Sequence, residues 1–263
     1  MKLVRLSLMV SVCLILWTFR SSAGVLMVNA STTSDRPDAQ VTSKVFIDKD
    51  RVRLEQGNDQ IALFRQDKGV FWMIDLKNKT YTEISRQDLQ KMKSQMDEAS
   101  RQVEEQMKNL PPDQRQMMEQ MMAGKMSKKA PQISYRKVAA GETVNQWVCD
   151  KYEGTREGNK QSDVWTTDWK NLGLQPEDFN ALKEMGEFFQ ELTRGQDSFY
   201  QVGDQADEHH YAGVPIKTIG YAGDRIANTQ ELKQISSQDL DASLFDLPSG
   251  YAKQDLGWER GKE

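Results

Sequence analysis

Hydrophobic residues recur along the chain with two different periods, and the change of period divides it. From Gly24 to Ile84 they alternate with polar residues in short runs. Val25 to Ser31 and Lys44 to Ile47 predict the first strands. Arg51 to Gln56 sets charged Arg51, Arg53 and Glu55 against apolar Val52 and Leu54, the period of two that marks a half-buried strand. Gln60 to Arg65, Val70 to Asp75 and Thr80 to Ile84 continue the pattern. Turn-forming residues separate the runs at Asp48-Lys49-Asp50, Gly57-Asn58-Asp59, Asp67-Lys68-Gly69 and Lys77-Asn78-Lys79. Connections this short suit an antiparallel meander and cannot carry a parallel crossover.

The period then lengthens. Leu89, Met92, Met96, Ala99, Val103, Met107 and Leu110 recur in steps of three and four among Gln, Lys, Glu and Arg, which predicts an amphipathic helix ended by Pro111-Pro112. Asp113 opens a second helix, with Met117, Met118, Met121 and Met122 on one face, stopped by Gly124. The pair reads as a helical hairpin inserted between strands over about 86–127. Strand spacing resumes at Ile133 to Val138, Thr143 to Tyr152 and Gln161 to Trp169, with turns placed at Ala140-Gly141 and Gly154 to Asn159. Pro176-Glu177-Asp178 starts a further helix whose stripe is Phe179, Leu182, Met185, Phe188, Phe189 and Leu192. Residues 196–213 predict a polar loop, Val214 to Tyr221 and Arg225 to Ile235 a last hairpin, and the residues after Tyr251 a fraying tail.

Basic Lys2 and Arg5, an apolar run from Leu6 to Phe19 and small Ser21-Ser22-Ala23-Gly24 have the layout of a secretory signal, with cleavage expected between Ala23 and Gly24. The run stops at Arg20, short of the ~20 apolar residues a bilayer span needs, so no permanent span is expected in the mature chain. Arg20 lies close to the cleavage point, which keeps an uncleaved anchor as the alternative. Cys13, inside the run, lacks the surroundings of a lipid-attachment cysteine. The expected location is periplasmic or secreted, with one domain over 24–263. The whole chain carries a formal charge of −4, and removing Lys2, Arg5 and Arg20 makes it more acidic, which argues against nucleic acid as a partner. Cys149 is then left alone, so no internal disulfide forms and stability must come from packing.

Several stretches carry a family likeness: Arg51-Val52-Arg53-Leu54-Glu55, Trp72-Met73-Ile74-Asp75, Lys79-Thr80-Tyr81, the Met- and Gln-rich helical insert, Cys149-Asp150-Lys151-Tyr152, Trp165-Thr166-Thr167-Asp168 and Ser243-Leu244-Phe245-Asp246-Leu247-Pro248-Ser249-Gly250-Tyr251. With them the chain resembles an uncharacterised family of exported bacterial proteins that carry a domain of unknown function. That family is similar in layout to the periplasmic lipoprotein carriers, the LolA-like half-barrels. The resemblance implies an α+β fold: a curved antiparallel sheet, an incomplete β-barrel, with a helical lid and the inserted Met-rich hairpin. It lends no catalytic residues.

Candidate chemistry is sparse. Eight of the 13 methionines (Met92, Met96, Met107, Met117, Met118, Met121, Met122 and Met126) fall in the helical insert. Unbranched, polarizable thioethers fill an ordinary apolar stripe, mould themselves around lipids or varied partners, or ligate Cu(I). Copper lacks a nearby His or Cys to anchor it. His209 and His210 stand among Asp204, Asp207 and Glu208, but adjacent side chains on an extended segment point apart, so a solvated loop is expected rather than a metal site. Cys149 has no neighbouring base in sequence and reads as a buried, inert thiol. Trp72, Trp147, Trp165 and Trp169 lie on or near strands and read as core. Asn29-Ala30-Ser31 and Asn78-Lys79-Thr80 match the short glycosylation pattern, which matters only on a eukaryotic secretory route. No Gly-rich phosphate loop and no spaced pair of catalytic carboxylates occurs, so no enzymatic activity and no cofactor are expected.

These readings converge on an exported, non-enzymatic binder of an apolar ligand such as an acyl chain, lipid or lipidated partner. Met117, Met118, Met121 and Met122 are expected as lid contacts, with Phe188 and Phe189 lining or plugging the cavity. The alternative is a protein-interaction module whose Met-rich hairpin docks an envelope partner.

Overall fold

The computed structural model describes residues 23–57, 59–111, 113–114, 132–193 and 206–256. Two meanders form one sheet. β1 (Gly24–Thr33), β2 (Arg36–Asp48), β3 (Arg51–Gln56), β4 (Gln60–Arg65), β5 (Val70–Asp75) and β6 (Thr80–Ser85) run outward from the centre. β7 (Ser134–Val144), β8 (Trp147–Arg156), β9 (Asn159–Thr167), β10 (Val214–Ala222) and β11 (Arg225–Gln238) return from the opposite edge. Antiparallel pairing of β1 with β11 joins the halves. A short β12 (Ala252–Gln254) adds to β6 in parallel, giving 12 strands among the described residues in the order β12-β6-β5-β4-β3-β2-β1-β11-β10-β9-β8-β7. The fold is α+β, a curved and unclosed antiparallel sheet with helices on one face.

α1 (Arg86–Lys108) starts directly at the end of β6. Ser85 Oγ accepts the Asp88 backbone N–H at 3.2 Å, and Asp88 accepts the Ser85 backbone N–H at 2.9 Å, so two orphan donors of the first turn are satisfied reciprocally. Only the helix's first turns enter the main core, through buried Leu89 and half-buried Met92. Met96, one step further on the same stripe, is 43% exposed. α2 (Asn180–Thr193) follows a 3-10 turn at Pro176–Phe179, whose entry is fixed by the Gln175 N–H donating to Asp178 at 2.8 Å. Its apolar stripe lies on the sheet: Phe188 meets Phe64 edge-on at 5.5 Å and Phe189 meets Phe71 at 4.8 Å. Such edge-to-face pairs contribute about 0.5–1.5 kcal/mol each beyond area burial.

The opposite face of the first meander is also covered. Ile61, Leu63, Trp72 and Ile74 form a second cluster under Leu247 and Tyr251. The covering strap is tied down by arginines from that face: Arg53 Nη1 donates to Leu244 O at 2.8 Å, Arg65 Nη1 to Phe245 O at 3.1 Å and to Asp246 at 2.8 Å, and Arg51 lies over the Phe245 ring. Phe245 is fully buried. The arginines of the Arg51-to-Glu55 stretch therefore hold the Ser243-to-Tyr251 stretch, two segments far apart in sequence.

The structure departs from the sequence reading at four places. β2 begins at Arg36, well before Lys44, because a polar, exposed strand extension shows no alternation of burial. Gly141 is a bulge within β7 rather than a turn, with φ +75° and the pairing shifted between Ala139 and Glu142; the hairpin turn falls at Asn145-Gln146, where Asn145 takes φ +53°. β8 and β9 run on to a turn at Glu157-Gly158. The tail after Tyr251 does not fray at once, since Ala252–Gln254 pairs with Thr80–Thr82 and Lys253 bonds Glu83 at 2.7 Å.

Candidate functional site

Unbroken register from β2 to β6, continued from β1 along its inward residues, sorts the first meander into rows that cross the strands. The first row, Val25, Ile47, Val52, Phe64, Phe71 and Ile84, is apolar and buried. α2 covers it through Phe188 and Phe189. The second row continues from Ile235 on β11 through Met27, Val45, Leu54, Ala62 and Met73 to Thr82. It is apolar but unevenly covered: Met27 and Val45 are buried, Leu54 and Ala62 half-buried, and Met73 is 52% exposed. The third row is polar across β1 to β6: Asn29, Ser43, Gln56, Gln60, Asp75 and Thr80. The helix-covered face thus carries an apolar strip one residue wide, shut at the centre of the sheet and open toward β5, with a hydrogen-bonding margin beside it. This strip is the candidate site.

The β7–β8 turn reaches β11 beside the strip, where Asn145 Nδ2 donates to Leu232 O at 3.1 Å. Leu232 is the residue paired with Asn29 on β1. Asn29 is 3% exposed, and its buried Nδ2 has no hydrogen-bond acceptor.

The second meander is organised by charge. Lys151, Trp165, Lys217 and Glu231 lie side by side across β8 to β11, with Lys151 Nζ 4.6 Å and Lys217 Nζ 5.5 Å from the Trp165 ring centroid. Buried Asp163 accepts Tyr221 O–H and Lys160 Nζ, both at 2.8 Å, with Lys151 Nζ 3.7 Å away. Burial acts to raise the Asp163 pKa, but the Lys160 and Tyr221 hydrogen bonds and the lysine charges outweigh it and hold the carboxyl below its ordinary range. Lysines and acids alternate here, so the cluster is an ion-pair network rather than an anion receptor.

Of the residues singled out from sequence, Phe188 is buried against Phe64 and Phe189, while Phe189 lies half-buried between Phe188 and Phe71. Met117, Met118, Met121 and Met122 lie outside the described residues, as do Met126, Cys13 and the leader up to Ser22; Ala23 and Gly24 stand at the start of β1. Cys149 is buried, its Sγ 3.6 Å from Trp147 O, and burial pushes the thiol up to about 11, which keeps it protonated and unreactive at neutral pH. His209 and His210 diverge: His210 Nδ1 contacts Asp207 at 2.7 Å, whereas His209 Nδ1 faces Ile133 O at 3.3 Å. No cluster of three or more His, Cys, Asp or Glu positioned for a metal occurs among the described residues. Trp147, Trp165 and Trp169 join the main core, and Trp72 the cluster on the opposite face. Sequence reasoning missed the row structure and Asn29's place in it. The available signal was alternation, since Val25, Met27 and Asn29 share one face of β1.

The architecture is that of a half-barrel with an open, helix-lidded face. Residues 100–251 match the family described as domain of unknown function DUF4412, and the chain belongs to that family. The matched stretch begins within α1 and ends at Tyr251, so it holds the whole second meander and the strap. No curated protein matches the chain. Among solved structures, the chain is similar to an uncharacterized conserved protein from Thermus thermophilus (7% identity, TM-score 0.45, covering 89% of this chain and 91% of that one). It is also similar to the MucA/MucB complex of Pseudomonas aeruginosa (8% identity, TM-score 0.41, 87% of this chain and 56% of that one). A third is a LolA superfamily protein from Nitrosomonas europaea (7% identity, TM-score 0.27, 84% of this chain and 88% of that one). No helix among the described residues is long and apolar enough to cross a membrane.

Proposed function

We propose that this protein is an exported, non-enzymatic carrier that holds an apolar ligand, an acyl chain or the lipid of a lipidated partner, on the helix-lidded face of its sheet. The observation that carries the reading is the strip from Met27 to Met73. It continues a buried core row, yet Met73 is 52% exposed in the middle of β5, where a strand residue facing a covering layer is ordinarily buried. An apolar concavity with a polar margin is what a ligand of this class requires. Met117, Met118, Met121 and Met122 serve as lid contacts in this reading, and Phe189, at the edge of the α2 cover, lines the strip while Phe188 plugs its floor. The signal-like leader supports a working location in the periplasm or outside the cell.

Native mass spectrometry after gentle purification from the envelope tests the reading, with an acyl-containing mass expected on the folded chain. Met73→Lys puts a charge in the strip at a site too exposed to matter for folding. It is expected to abolish uptake of 1-N-phenylnaphthylamine without moving Tm. Undiminished uptake by Met73→Lys would remove the strip from consideration.

A second reading rests on α1, whose stripe leaves the core after Met92 and exposes Met96. Exposed Met96 suits contact with a partner helix, in the manner of amphipathic helices seated in grooves. Deleting residues 86–127 separates the two readings. Loss of an envelope partner with probe uptake intact supports docking, and the reverse supports carriage.

A further inference from the structure

We infer that Met73 is a modification site: its thioether takes one oxygen from hypochlorous acid, and the sulfoxide formed there switches off binding in the strip. The inference rests on the carrier reading and adds a mode of regulation to the same site. Met73 is 52% exposed in the middle of β5, which leaves its side chain open to small oxidants in solution. Among the described residues, Met27 at 3% and Met185 at 6% exposure are shielded within the main core, while Met96 on α1 is open at 43%. Cys149, which as a thiolate would consume oxidant first, is buried, and that burial pushes its thiol up to about 11.

The reaction needs no catalytic group from the protein. Thioether and hypochlorous acid give sulfoxide, chloride and a proton: the Cl–O bond breaks, an S–O bond forms, sulfur is oxidised by two electrons and chlorine reduced by two. An apolar side chain thereby becomes a polar, chiral one. Its place decides what that does. Met73 sits in the apolar second row, with Ala62 opposite on β4 and Thr82 opposite on β6. An apolar ligand lying over this row must desolvate the sulfoxide oxygen, which disfavours binding. The fold is spared the same cost. Half of the residue already faces solvent, and Thr82, directly across the pair, supplies a hydroxyl that can donate to the new oxygen. Gln254, next in the row on β12, is exposed as well. At Met27 or Met185 the same oxygen would be buried in the main core and would destabilise it. Leucine in place of Met73 would give the strip the same apolar character without this response, so the sulfur is what makes the strip sensitive. The signal-like leader, which supports work outside the cytoplasm, adds contact with oxidants arriving from outside the cell.

The test treats the folded protein with graded hypochlorous acid, maps the added oxygen by peptide mass spectrometry, and titrates 1-N-phenylnaphthylamine before and after. At the lowest effective dose Met73 is expected to carry oxygen about tenfold more often than Met27 or Met185, with Tm unmoved. Probe affinity is expected to fall about tenfold, the scale of forcing one polar group against an apolar ligand, and to return on treatment with methionine sulfoxide reductase. In Met73→Leu the ratio of affinities before and after the same dose is expected to stay near one, a comparison internal to each protein that does not depend on the variant's starting affinity. Met73→Gln, a lasting imitation of the sulfoxide, is expected to bind as oxidised native protein does. Met73 found unmodified at a dose that already oxidises Met27 or Met185 overturns the site. Native affinity that survives full oxidation of Met73, a Met73→Leu protein that loses affinity as native does, or a Met73→Gln protein that binds like untreated native overturns the switch. Untreated native protein that takes up no probe fells the carrier reading and the switch with it.

Discussion

From β2 to β6 each strand meets the next in unbroken register, whereas every pairing from β7 to β11 is interrupted by a bulge. A bulge inserts an unpaired residue, bends its strand and increases local twist. The consequence follows from geometry. Regular register in the first half aligns inward residues into continuous rows, one of which stays open as the strip. Irregular register in the second half curls the strands until the β7–β8 turn reaches β11, beside that strip. The halves also differ in what holds them. The first is packed with aliphatic and aromatic side chains on one face and clasped by the arginine-bound strap on the other; the second relies on lysines laid over Trp165 and Tyr221 and on the buried Asp163 network. One half is a floor and the other a bent wall.

The comparison can be broken by substitution, and the largest effect is expected in the floor. Phe64→Ala removes a fully buried ring that meets Phe188, and should cost about 3–5 kcal/mol in a urea titration. Arg65→Gln should cost about 2 kcal/mol by cutting charged hydrogen bonds to Asp67, Asp246 and the Phe245 carbonyl, and amide exchange in the strap should quicken while β8 and β9 stay protected. Uniform loss of protection across both meanders would show that the strap is not a separate clasp. Gly141→Ala and Gly69→Ala both force an L side chain into left-handed backbone with nothing within 4 Å of the new methyl, so each should cost about 1–2 kcal/mol. They differ in outcome: only the bulge variant Gly141→Ala should weaken probe uptake, by releasing the curl of β7 and β8. Equal uptake by the two variants would deny the bulge any part in bringing the β7–β8 turn beside the strip.

The smallest effect is one of pH. Because the folded carboxyl of Asp163 titrates below its unfolded range, the stability it contributes is present above pH ~4 and is lost as pH falls through the depressed folded value. Asp163→Asn should therefore flatten the acid limb of a stability–pH curve while Asp75→Asn, at the end of β5 beside the turn at Asn78, leaves Tm at neutral pH nearly unmoved. An unchanged acid limb in Asp163→Asn would mean that the ion network does not couple to folding.

The floor was far more legible in sequence than the wall. Tight polar turns placed β3, β4 and β5 at their observed limits, and in β3 the alternation of Arg51, Arg53 and Glu55 with Val52 and Leu54 wrote the period of two into the residues. In the wall, Gly141 signalled positive φ correctly, but a turn and a bulge use the same backbone, and only pairing with β8 tells them apart. The true turn at Asn145 carries no glycine. β12 is three exposed residues that owe their strand to Thr80–Thr82 beside them, a contact absent from any local pattern. The leader and the second half of the predicted helical hairpin lie outside the described residues, so the expected lid residues Met117, Met118, Met121 and Met122 stand as proposals. The strip itself was invisible for a different reason: alternation says which residues face inward, but not which of them another layer leaves uncovered. That depends on which rows α2 covers.

The ladder between β1 and β11 also dictates when this molecule can be finished. Gly24 sits opposite Gln238, so strands separated by roughly 200 residues must find each other before the two meanders become one sheet, and such distant pairings close slowly. A growing chain will have its first six strands available long before β11 emerges, with β1 presenting a bare, apolar edge throughout. The biosynthetic interval, rather than the mature protein, is therefore when this chain most needs protection from its neighbours.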